Sequence, residues 1–192
     1  MAKQPPPPRP RRFPFRRILA GAACLVLAAA VAPGQTRGAA RPPLPADLEK
    51  VHAALAKYED VVVAVHDGYH STVGCVQYPE GGMGIHFVNR ALIGPVPDPM
   101  RPQILLNEPV GDKLALIGAE WFIPLATGVK ERPHLFGQAF DGPMEGHTPL
   151  QPAALHHYDL HVWLFKHNPL GMFKRANPEV KCPTTGYTVH HQ

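Results

Sequence analysis

Residues 102–124 read "PQILLNEPVGDKLALIGAEWFIP", and this stretch decides the fold class. Two apolar runs, 103–107 and 113–123, flank Pro-Val-Gly-Asp, a turn-forming tetrapeptide. The segment is therefore expected to fold back on itself as an antiparallel hairpin. Working outward, "GMGIHFVN" (82–89) and "LHHYDLHVWLF" (155–165) supply two more strand candidates. Upstream, residues 46–71, "ADLEKVHAALAKYEDVVVAVHDGYHS", change period: Leu48, Val51, Leu55, Tyr58, Val62, Val65 and Tyr69 recur at steps of three and four. Asp47 and Glu49 suit a helix N-terminus and Gly68 a stop, although the β-branched "VVVAV" is an indifferent helix former. The expected architecture is α+β, with one long amphipathic helix packed on a mostly antiparallel sheet of at least four strands. Between the last two strands, residues 125–154 form a long loop rich in Gly, Pro and His, and loops of that length are usually functional or mobile.

Charge divides the chain. The net charge is +4, but Lys3, Arg9, Arg11, Arg12, Arg16, Arg17 and Arg37 precede position 41 and no acidic residue does. From Arg41 onward twelve basic residues face fifteen acidic ones, so the body is mildly negative and offers no nucleic-acid surface. The start, basic and proline-rich, is followed by the apolar "ILAGAACLVLAAAVA" and then by the small residues of "PGQTRGAA", the three parts of a secretory signal peptide. The apolar run is 15 residues, short of the roughly 20 that span a bilayer. Residues 1–40 are thus expected to be a signal peptide, 41–45 a linker, 46–182 a single α+β domain and 183–192 a flexible tail. Membrane contact is expected only if the leader is left uncleaved, and the destination is the periplasm or the exterior. Once the leader and Cys24 are gone, Cys75 and Cys182 remain, and an oxidising compartment favours one disulfide between them over two free thiols.

All twelve histidines fall after position 41, which matters because imidazole is both a metal ligand and a neutral-pH acid/base. His66 and His70 have the i, i+4 spacing of a helical metal clamp, but Gly68 between them ends the helix. In a strand, His157, Asp159 and His161 share one face. His157 and His161 then stand about 13 Å apart, too far to bind one ion side by side. A site would use one of them, most simply His161, with residues lent by neighbouring strands. His86 in "GIHF" and Glu120 in "GAEWF" are the lenders, each a polar interruption of an apolar strand, with His157 and Asp159 as supports. Glu108, beside Pro109, is assigned to a solvated turn, and His134 and His147 lie on the long loop, able to swing over the sheet. Read in simple alternation, Glu120 shares a face with Leu114 and Leu116. An unpaired charge there is costly, so it requires a structural partner, a metal or ligand, or a catalytic role. No G-x-S-x-G, HExxH, phosphate-binding glycine loop, dinucleotide fingerprint or C-x-x-C-H is present.

The segments "GGMGIHFVN", "ILLNEPVGDKLALIGAEWFIP" and "HYDLHVWLFKHNPLGMFKRANPEVKC" together resemble a family of small exported bacterial proteins of uncharacterised activity, over residues 46–182. His86, Glu108, Glu120, His157 and His161 fall within these segments. The resemblance implies one exported domain with a defined fold and no activity to carry over. The functional expectation is an exported binding domain for a small ligand or a divalent transition metal, held by His86, Glu120 and His161. The alternatives are a small hydrolase- or isomerase-type enzyme with a histidine general base, and a structural or assembly protein.

Overall fold

The helical stripe of residues 46–71 is real at its start and fails at Asp60. A computed structural model describes residues 43–147, 151–184 and 188–190 of the chain; the expected signal peptide, 1–40, lies outside them. Helix α1 (Ala46–Leu55) buries Leu48, Val51 and Leu55 and tightens into a 3₁₀ turn over Ala56–Glu59. Asp60 then leaves helical geometry, and its side chain accepts a hydrogen bond from the Val62 amide (2.9 Å), capping a separate short helix, α2 (Val61–His66). The break rotates the stripe: Ala64 is buried, whereas Val62 and Val65 are 71% and 45% exposed. The single long amphipathic helix is thus corrected to two, because an aspartate free to cap competes with helix continuation through β-branched residues. Gly68 adopts φ +94° and ends α2, leaving His70 on the first strand, so no i, i+4 histidine clamp forms.

The sheet is mostly antiparallel and exceeds the expected minimum of four strands, with seven. Strands β1 (His70–Tyr78), β2 (Gly81–Val88), β3 (Ile104–Val110), β4 (Lys113–Pro124), β7 (Asp141–Met144), β8 (His157–Val162) and β9 (Thr188–His190) assemble in the order β7-β8-β4-β3-β2-β1-β9. Among the described residues only the β1–β9 pairing of this sheet is parallel. Strands β5 (His134–Leu135) and β6 (Gln138–Ala139) form a separate small hairpin in the long loop. The β3–β4 hairpin turns at Gly111 and Asp112, where Gly111 takes φ +62°. Of the tail expected to be flexible, residues 188–190 lie alongside Cys75, Val76 and Gln77 as β9.

One irregularity in β4 sets the two faces of the sheet. Leu106 pairs with Gly118, but Asn107 pairs with Leu116, so Ile117 is an extra residue, a β-bulge. Before it, Leu114 and Leu116 face the helices, and they pack in the cluster that holds Leu48, Leu105, Trp121 and Leu160. Past it, Ala119, Trp121 and Ile123 keep that face, while Ile117 joins Ile104, Leu106, Phe122 and Trp163 on the other. Glu120 therefore does not share a face with Leu114 and Leu116, as simple alternation requires; the bulge shifts the phase by one residue. The Ile117 carbonyl accepts from the Phe165 and Lys166 amides (3.1 and 3.2 Å), which fixes the chain leaving β8. Gly118 fits because a Cβ there would run into the Val162 carbonyl oxygen.

The C-terminal segment is strapped to the sheet. Glu108, expected in a solvated turn, is buried: its carboxylate pairs with Lys166 Nζ (2.6 Å) and accepts from the Lys181 amide (3.0 Å). The correction follows from β3 running on through Val110, so that Pro109 sits within a strand rather than in a turn. Cys75 and Cys182 form a disulfide, their Cα atoms 5.6 Å apart, as expected of an oxidising compartment. Among the described residues no helix is long and apolar enough to cross a membrane. The bond closes a loop of 107 residues. Replacing both cysteines with serine is expected to lower stability by up to about 4–5 kcal/mol, read as a drop in the urea midpoint. An unchanged midpoint would show that the folded chain does not use this link.

Candidate functional site

Three central strands bring His86, Glu120 and His161 together. Glu120 on β4 lies directly across from His161 on β8 and, on its other side, from Ile104 on β3. His86 on β2 reaches over β3 to the same carboxylate. Glu120 Oε2 is 3.2 Å from His86 Nε2 and 3.3 Å from His161 Nε2. All three residues are buried, Glu120 and His161 at 3% and 1% exposure. The atoms are close, but no N–H is aimed at the oxygen: Glu120 Oε2 and His161 Nε2 both lack a partner of hydrogen-bonding geometry. The residues singled out from the sequence thus converge, and their donor atoms lie within 4.8 Å of one another.

Strand geometry separates the remaining polar residues of β8, as the rise per residue requires. His157 does not reach Glu120. It stands instead with Asp159 and His147, whose donor atoms also lie within 4.8 Å of one another. Its Nε2 is 3.7 Å from Asp159 Oδ2, its ring 5.3 Å from that of His147 and 4.7 Å from that of Phe122. Asp159 Oδ1 points the other way, 4.0 Å from His161 Nδ1. His147 was visible in the sequence only as a residue on a long loop. The loop is seated by Gly146, where a Cβ would strike the Pro152 carbonyl, and by the Gln151 amide bonding to the His147 carbonyl (2.8 Å). His134, by contrast, is exposed on β5 and its Nδ1 contacts the Arg132 carbonyl (3.0 Å).

Both groups open on one cavity of about 480 Å³. His86, Glu120, His147 and Asp159 line it, with apolar walls from Val76, Met83, Ile104 and Phe122. Gln103 ties the lining residue Phe122 to the segment before β3: its side-chain oxygen accepts from the Phe122 amide (3.0 Å) and its amide group donates to the Leu92 carbonyl (3.1 Å). A larger cavity, about 600 Å³, is lined by Leu160, Met172 and Arg175 among others and contains none of these histidines.

The electrostatics follow from burial and proximity. Burial disfavours the charged form of Glu120, but His161 and His86 outweigh it and hold the carboxyl well below its usual range. Burial likewise opposes charge on His161, yet Glu120 and then Asp159 raise it to about 9. His157 is also shifted upward: burial opposes this, and Asp159 and the Leu155 carbonyl more than compensate.

Comparison with protein-family models, with curated proteins and with solved structures gave no match.

In the metal-free protein the sign of the pH dependence is fixed. The raised His161 contributes stability below about pH 6.5, its unfolded value, and that contribution is lost as pH rises through about 9. The lowered Glu120 contributes above about pH 4.5, its unfolded value, and loses that contribution as pH falls. Thermal melting of chelator-treated protein is expected to be highest between these limits and to decline from pH 6.5 to 9. Glu120→Gln is expected to flatten that decline; an unaltered slope in the variant would assign it to other groups.

Proposed function

We propose that this chain is an exported binding module that holds a divalent transition metal with His86, Glu120 and His161, leaving one coordination position open to the cavity. One observation carries the reading. Two imidazole nitrogens lie 3.2 and 3.3 Å from one carboxylate oxygen with no N–H directed at it. Metal–ligand bonds of about 2.0–2.1 Å place tetrahedral ligands about 3.3 Å apart. These atoms are thus spaced as ligands around a common point rather than as donors and acceptors of one another. Two imidazoles and a carboxylate suit zinc, copper or nickel better than magnesium or calcium. Three protein ligands and a fourth position facing a cavity form the arrangement of an open site rather than a closed structural one.

The compartment reading draws on two features: the disulfide between Cys75 and Cys182, and the basic-then-apolar start of the chain. Periplasmic or secreted location is proposed on that basis. A general-base mechanism through His161 fares less well, since an imidazole kept protonated to about pH 9 is a poor base at neutral pH. No observation favours an assembly role.

Metal must displace the proton on His161, so affinity is expected to tighten as pH rises toward 9. Equilibrium dialysis of untagged, chelator-stripped protein against zinc checks the site directly. His86→Ala and His161→Ala are each expected to remove one equivalent of zinc, weakening that site by more than about 100-fold, since losing a direct ligand costs more than losing an outer partner. Zinc uptake that neither substitution alters would rule out this reading.

A further inference from the structure

We propose that His147, His157 and Asp159 form a second divalent-metal site beside the first, and that Asp159 joins the two. The joining role, though not the second site itself, rests on the first triad holding a metal.

The tautomer of His157 carries the argument. Its Nδ1 lies 3.1 Å from the Leu155 carbonyl oxygen, which can only accept, so Nδ1 bears the hydrogen. In the neutral ring Nε2 then presents a lone pair. That lone pair faces Asp159 Oδ2 at 3.7 Å, and Nε2 is buried without a hydrogen-bond partner. Two electron-pair donors turned toward each other in a site shielded from water repel unless a cation lies between them. The separation is too long for an N–H···O bond and close to the spacing of two ligands on one ion. A backbone carbonyl that fixes the outer nitrogen while the inner one points inward is also how ligating histidines are ordinarily oriented.

The third donor comes from a different part of the chain. His147 is brought edge-on to His157 by the loop that Gly146 seats against Pro152, and it lines the same cavity as Asp159. Two imidazoles and one carboxylate repeat the donor set of the first triad, so the class of ion is the same.

Asp159 divides its oxygens between the two groups. Oδ2 faces His157, and Oδ1 stands 4.0 Å from His161 Nδ1, the nitrogen turned away from Glu120. A carboxylate that ligates one ion thereby also faces a ligand of the other across 4.0 Å, beyond hydrogen-bond reach, and acts on it through its charge whether or not the second site is filled.

A proton on His157 Nε2 would satisfy the same geometry as an imidazolium–aspartate pair, and the experiment separates the two. Chelator-stripped protein is dialysed against zinc, and cobalt absorption is recorded in parallel. The native sequence is expected to bind two equivalents. His147→Ala, at a half-buried loop position, is expected to bind one with little change in affinity. Asp159→Asn is expected to lose that same equivalent and to weaken the remaining one by about 10–100-fold. One equivalent that His86→Ala abolishes and His147→Ala leaves untouched would overturn the second site and keep the first. One equivalent that His147→Ala abolishes and His86→Ala leaves would support the second site and overturn the first. No bound metal overturns both.

Discussion

A carboxylate in the middle of a seven-stranded sheet gives up its hydration, and Glu120 sits at 3% exposure in that position. The cost of stranding such a charge is several kcal/mol unless it is met by opposite charge or hydrogen bonds. Everything on this side of the sheet is placed accordingly. His161 is its registered neighbour, His86 arrives from two strands away, and Asp159 stands behind His161. The result is a chain of alternating acid and imidazole across the centre of the sheet, with the polar groups inside and apolar walls around them.

That placement depends on a single extra residue. Ile117 lets one strand serve two environments: leucines against the helices in its first half, glutamate toward the cavity in its second. The same residue's carbonyl takes the two amides that follow β8. The bulge thus sets both the face of Glu120 and the exit of the strand that carries His161. Bulges beside functional sites re-aim side chains in this manner.

Much of this was legible in the sequence, and the limits have physical causes. The hairpin, the disulfide and the meeting of His86, Glu120 and His161 were readable, because strand alternation and the cost of buried charge act on local patterns. The bulge was not, since no residue type announces it and the alternation of Leu114 to Phe122 looks unbroken. Strand β1 escaped because its pairing register jumps between Ser71 and Cys75. The helix break escaped because Asp60 reads equally well as a polar residue on the exposed side of a continuing helix. Glu108 was misplaced because Pro109 reads as a turn residue, while its partners, Lys166 and the Lys181 amide, come from far along the chain. His147 reaches its partners through a loop whose path depends on the rest of the fold.

The strand order carries a consequence for how the chain is built. Residues 188–190 lie beside Cys75–Gln77, so the edge of the sheet at β1 is covered by a strand from more than 100 residues further along the chain. Glu108 and β2 likewise wait for residues 177–181. Pairings of such long sequence separation form late and slowly. Without residues 177–190 the β3–β4 hairpin would still have its local pairing, but β1 would lose its outer neighbour and Glu108 one of its partners.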